Sequence, residues 1–236
     1  MCLLAIAIAS VAAEPTTTPS KVSDEQLTRW LANLESASPD TRESAAMSLL
    51  HLSPDTLPRL RIVTERAKPL SPAQAQVLYD VVTHVFLSGE PYEKTDMGFL
   101  GMMFAPVYRF GMDPRVEGQG VVVQSRIPGL GAYSGFLDGD IVLSMDELPG
   151  VWLTDSQSFA EEVRKFPPGT TLHFQILRQG RQLHTEATLS ARPAALRPDS
   201  PMNSVVDFQE GRAQTAQEYW DKNFGPITQP AYSQAD

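Results

Sequence analysis

Gly98-Phe99-Leu100-Gly101-Met102-Met103-Phe104 is the stretch whose reading decides the fold of this chain. A glycine at 101 lets the backbone turn so that consecutive N–H groups converge on one anion. The strand that follows, from Met102 to Tyr108, is expected to offer an unpaired edge to which an extended peptide can add. Taken alone, however, Gly98-Phe99-Leu100-Gly101 reads better as an ordinary strand entry with glycines.

The residues downstream separate the two readings. Gly120-Val121-Val122-Val123 is a β-rich run that opens at a glycine. Thr171 to Leu177, a turn at Gly180, and Leu183 to Leu189 predict a closing hairpin. Thr154 and Gln157 have capping-box spacing, and Phe159, Val163 and Phe166 then form an apolar stripe on the helix that follows. The offset along that helix points Ser156, Ala160 and Val163 at the groove.

The combined order resembles a PDZ domain of the bacterial HtrA-like type. Leu100-Gly101-Met102 occupies the place of that family's carboxylate-binding loop. Ile127-Pro128-Gly129, Ala132 and Gly135-Phe136 match its short helix, and Gly139-Asp140-Ile141-Val142-Leu143 its next turn and strand. Asp140 is expected to bind turn amides, a role in the fold and not in catalysis. The resemblance implies an α+β protein in which residues 97–192 form a small PDZ-like β-barrel or sandwich capped by two helices. It implies that Phe99, Leu100, Gly101, Met102, Met103 and Phe104 bind peptide, with Ser156, Ala160 and Val163 as the far wall. The chain departs from the family pattern in three places. The loop Val107 to Gln119 is long, and either covers or widens the groove. Residues Glu147 to Leu153 carry Pro, Gly and a Trp152 expected to be partly buried. Lys94 is the only nearby candidate for the cation that many such domains place before the carboxylate loop.

Upstream, residues 23–89 read as all-helical. Ser38-Pro39, Ser53-Pro54 and Ser71-Pro72 each pair a helix-start acceptor with a proline that loses nothing in the first turn. Ser23 with Gln26 and Ser71 with Gln74 fit capping boxes. Apolar stripes run through Leu27, Trp30, Leu31 and Leu34; Ala45, Ala46, Leu49, Leu50 and Leu52; Leu57, Leu60 and Val63; and Val77, Leu78, Val81, Val82 and Val85. Pro58 either kinks the third helix or restarts it. Asp40 to Ala46 with Leu49 and Leu52 looks like one HEAT-type repeat; the segment is then a cap docked on the next domain or part of a solenoid. Beyond 192 lies a Pro/Gln-rich tail, 193–236, with one amphipathic helix expected at 205–224. Its anchors are Tyr219, Trp220 and Phe224, which pack back, bind a partner, or order on binding.

Met1 to Ala13 is apolar and ends in Val11-Ala12-Ala13, a signal-peptide pattern too short to span a bilayer. Residues 14–22 form a flexible spacer. The expected setting is therefore periplasmic or secreted, with no stable membrane span in the mature chain. The single cysteine, Cys2, leaves with the signal, so neither disulfides nor thiolate chemistry are expected. A net charge of −9 argues against nucleic-acid partners.

No Gly-x-Ser-x-Gly or Gly-Asn-Ser-Gly-Gly sequence occurs, and the segment before residue 97 is too short for a chymotrypsin-like domain. His51, His84, His173 and His184 lack metal-ligand spacing. The chain thus reads as a non-enzyme without cofactor or metal. It is expected to be a bacterial envelope adaptor or scaffold that binds protein C-termini or extended segments. Two alternatives stand beside that reading: a regulatory or substrate-delivery subunit of an envelope protease, and a structural component of a secretion or envelope assembly.

Overall fold

A computed structural model describes residues 22–106, 120–149, 156–197 and 199–228. The expected signal peptide, nearly all of the spacer, the 107–119 loop, Trp152 and the Thr154 cap lie outside the described residues.

The helical segment follows its sequence punctuation. Helices α1 (Asp24–Asn33), α2 (Pro39–Leu50), α3 (Leu57–Arg66) and α4 (Pro72–Gly89) form in turn. Ser23 and Gln26 close a reciprocal capping box at 3.2 and 2.8 Å, as do Ser71 and Gln74 at 3.2 and 3.0 Å. Ser38 caps α2 by accepting from the Thr41 amide. Ser53 differs. Its hydroxyl bonds the Asp55 carboxylate instead of a helix amide, and Pro54 opens only a 3-10 turn. Pro58 then stands in the first turn of α3, so it restarts the helix without bending one. Arg42 donates to the Ser36 and Ala37 carbonyls, clamping the α1–α2 connection.

The second region is sheet. Strand β1 (Lys94–Phe99) pairs antiparallel with β7 (Ser190–Pro193) in a two-stranded sheet. A five-stranded antiparallel sheet runs in the order β2 (Met102–Pro106), β3 (Val121–Arg126), β4 (Ile141–Met145), β5 (Thr171–Arg178) and β6 (Arg181–Thr188). Helix α5 (Ser156–Val163) and a 3-10 turn, Gly131–Ser134, cap it. Alternation on β5 sends Leu172, Phe174 and Ile176 inward. A chain of tilted rings, Phe104–Phe159–Phe174–Phe136, fills this core with centroid spacings of 4.9, 6.2 and 5.2 Å. The whole is an α+β, PDZ-like architecture behind an all-helical segment.

The chain then returns to the helices. Helix α6 (Met202–Asn223) and the short α7 (Gly225–Thr228) drive Trp220, Phe224 and Ile227 into the core formed by α1–α4. Trp220 stacks on Phe224 at 5.6 Å and meets Tyr79 of α4 edge-on at 5.1 Å. Of the fates open to the aromatic tail helix, the structure shows packing back, onto the helical layer.

Polar contacts join helices to sheet. Arg178 on β5 is buried and grips Asp140 through Nε and Nη2 at 2.8 and 2.7 Å. Its Nη1 reaches Glu43 of α2 at 2.5 Å. Asp140 also accepts from the Leu137 amide at 2.7 Å, the turn role expected of it. Arg181 meets Asp40 at 3.0 Å on the exposed rim of the same junction. On the other flank, His84 of α4 accepts the Gly129 N–H at Nδ1, 2.9 Å away, and stacks on Tyr133 at 4.7 Å. Burial, with the nearby charges of His51, Arg126 and Arg212 adding to it, holds His84 neutral down to about 3.

Replacing Arg178 with Met leaves Asp140 buried and unpaired, and should cost about 3–5 kcal/mol in urea unfolding. Arg181→Met, at the exposed pair, should cost under about 1 kcal/mol. For His84 the folded state rejects a proton that the unfolded chain accepts near 6.5. Its contribution is therefore complete above that value and is lost as pH falls from 6.5 toward about 3. The melting temperature of the native chain should fall more steeply from about pH 7.5 to about pH 5 than that of His84→Gln, which keeps an acceptor for Gly129. Parallel slopes would show that His84 does not titrate in this way.

Candidate functional site

The turn between β1 and β2 is Leu100-Gly101, and Gly101 has φ +77°. A side chain is also barred by space, because a Cβ at 101 would lie 2.3 Å from the Leu130 Cβ. Two hydrogen bonds fix the orientation of the turn. The Leu100 carbonyl accepts from the Ala132 amide and the Gly101 carbonyl from the Ile127 amide, both at 2.7 Å. A trans peptide unit points its N–H opposite its C=O. The Gly101 N–H therefore faces away from Ala132, and the Met102 N–H faces away from Ile127. Among the described residues the Gly101 N–H finds no acceptor. Turned outward in this way, the two N–H groups are donors of the kind that gather a carboxylate.

Strand β2 continues from this turn as an edge, with β3 on one side and no strand on the other among the described residues. A cavity of about 170 Å³ opens between that edge and α5. Phe99, Leu100, Met102 and Phe104 line it from the turn and the strand, and Ala160 and Val163 from the helix. Met103 alternates to the other face of β2 and is 54% exposed, while Met102 is 4% exposed. Ser156 opens α5 one turn before Ala160 and is not in the lining. Gly101 shapes the turn without lining the cavity.

Gly98, Arg164 and Arg192 complete the wall, and sequence reasoning passed over all three. Arg164 follows Val163 and lies one helical turn beyond Ala160, so the periodicity of α5 carried that signal. Arg192 comes from β7, which is held beside the turn by the pairing of Phe99 with Ser190 and Gly98 with Ala191. Only the pairing of β1 with β7 brings it there. Its guanidinium lies 5.1 Å from the centre of the Phe99 ring, and its Nε donates to the Leu196 carbonyl at 2.5 Å. Burial and the like charge of Arg164 push its pKa below the ordinary arginine value. The Arg164 Nε is buried and has no hydrogen-bond partner among the described residues. Lys94, by contrast, extends over the Tyr92 ring at 5.1 Å and does not line the cavity.

No family model matches the sequence, and no curated protein matches it. Solved structures do. The likeness is to HtrA-type proteases. One is the HtrA-type protease AlgW with decapeptide, in a serine-to-alanine form: 24% identity over 44% of this chain and 32% of that one, TM-score 0.38. AlgW with tripeptide gives 25% identity over 44% and 33%, TM-score 0.36. The serine endoprotease from Yersinia pestis gives 22% over 41% and 30%, TM-score 0.32. The aligned part spans about a third of each protease chain.

The turn geometry makes a direct prediction. Gly101→Ala combines a left-handed backbone with a contact against Leu130, and should destabilise the protein by about 1–3 kcal/mol. Gly211→Ala, in α6 with nothing within 4 Å of its added Cβ, should be neutral or stabilise by up to about 1 kcal/mol. Chemical denaturation of the two variants side by side checks the contrast.

Proposed function

We propose that this chain is a non-catalytic peptide-recognition protein that takes free C-termini, or extended segments, into the groove between β2 and α5. The observation that supports the reading is the turned-out Gly101 amide at the head of a strand edge that has no neighbouring strand among the described residues. A peptide laid against β2 gains main-chain hydrogen bonds along the strand and buries alternate side chains against Met102, Phe104, Ala160 and Val163. Its terminal carboxylate meets the Gly101 and Met102 N–H groups at the end of the groove that carries Arg192. Strand pairing must offset the ordering of the peptide, so affinities on the order of micromolar are expected.

The setting we favour is substrate recognition or regulation for an envelope protease, ahead of a free-standing scaffold. The support is the set of residues that carry the HtrA-like resemblance, Leu100-Gly101-Met102 and Gly139-Asp140-Ile141-Val142 foremost. The absence of a catalytic role is itself part of the proposal. His84 is committed to Gly129, and His173 sits on the surface with Nδ1 2.9 Å from Glu147. The strand register sets His173 opposite Glu186 and His184 opposite Gln175, so these two rings do not face each other.

Fluorescence anisotropy with a library of C-terminal peptides tests the reading. Binding should weaken about tenfold or more when the terminal carboxylate is amidated, since a charge-assisted contact is lost. Ala160→Phe should block the groove and abolish binding while leaving the fold intact by circular dichroism. If no peptide in the library binds, the groove is idle and the structural-assembly alternative takes its place.

A further inference from the structure

The groove carries more positive charge than one terminal carboxylate requires. Among the described residues its lining contains two arginines, and every other lining residue is glycine or apolar. Yet the chain as a whole is acidic, with 28 Asp and Glu against 19 Lys and Arg. Three other partly buried arginines have found carboxylates: Arg178 has Asp140 and Glu43, Arg59 has Asp24, and Arg126 has Asp138, while Arg212 is satisfied by the carbonyls of Leu87 and Pro128. Arg164 and Arg192 form no ion pair among the described residues. The Arg164 Nε is buried without a hydrogen-bond partner among the described residues. The Arg192 side chain gives one bond to the Leu196 carbonyl and rests on Phe99.

Two half-buried cations sharing one small cavity repel each other and are poorly solvated, which costs free energy in the empty protein. One carboxylate, held by the Gly101 and Met102 amides with Arg192, neutralises only one of them. A second anion removes the remaining imbalance, and the Nε donor it would meet on Arg164 is already out of water. A guanidinium prepared in this way favours a planar carboxylate. The apolar wall accommodates the methylene of an acidic side chain as readily as a small aliphatic one.

Resting on the peptide-recognition reading above, we infer that the groove selects peptides bringing a second carboxylate, an Asp or Glu side chain within the last three residues, onto Arg164 beside the terminal carboxylate at Arg192. Arg164 is then the residue that sets acidic specificity, and the class of ligand is an acidic C-terminus.

The test is a fluorescein-labelled peptide of otherwise apolar sequence, ending in a free carboxylate, with Asn or Asp placed in turn at each of its last three positions. At one of those positions the native protein should bind the Asp form about tenfold more tightly than the Asn form, the gain of one partly desolvated ion pair. Added salt should shrink the ratio. Arg164→Gln should bring the ratio close to one whatever happens to absolute affinity, and Arg164→Lys should restore part of it. Arg66→Gln, which changes net charge equally on the exposed end of α3, should leave the ratio as it was. Equal binding of Asp and Asn forms at all three positions overturns this inference while leaving peptide recognition standing. A ratio that survives Arg164→Gln overturns the role of Arg164. If neither form binds at all, the groove reading falls and this inference falls with it.

Discussion

Two backbone hydrogen bonds, from Ile127 to Gly101 and from Ala132 to Leu100, decide which way the β1–β2 turn faces. Because they hold the carbonyls inward, the amides of the same peptide planes must point outward. A glycine is required there by its positive φ and by the closeness of Leu130. Without that arrangement β2 would still be an edge strand, but its head would present carbonyl oxygens to an arriving carboxylate and repel it.

The segment that supplies those two donors is itself held from behind by the helical layer. His84 of α4 accepts from Gly129, and Arg212 of α6 donates to the carbonyls of Leu87 and Pro128. Farther along, Arg178 ties the turn before β4 to α2 through Asp140 and Glu43. The helices thus back the binding turn. Their own packing depends on Trp220 and Phe224 from the far end of the chain, which enter the same core as Leu27, Leu49 and Leu78. A loosening of that core therefore reaches the groove through a short run of contacts, α4 to Gly129 to the Ile127 donor.

Much of this was legible in sequence because the signals are local. Ser23 and Gln26, or Ser71 and Gln74, satisfy each other across three residues, and capping chemistry is written at that range. Gly101 between two apolar residues and Asp140 in its turn are short-range patterns as well. Ser53 shows the limit: an identical Ser-Pro pair opens only a 3-10 turn, with no amide bonded to its hydroxyl, which donates to Asp55. What stayed hidden was long-range. Arg192 stands beside Phe99 only because β7 pairs with β1, and Arg178 meets Glu43 only because α2 packs beside the Gly131–Ser134 turn. Neither partner is visible from either end. Arg164 was the recoverable omission, since it shares a helical face with Ala160.

The direction of the Gly101 and Met102 amides is the claim on which everything above rests, and ¹⁵N-resolved NMR reads it directly. Titration with one bound peptide as free acid and as C-terminal amide should move the Gly101 and Met102 amide resonances far more with the acid. The β2 resonances from Phe104 onward should respond to both forms. Shifts of equal size for acid and amide at Gly101, or shifts centred away from β2 and α5, would contradict the account.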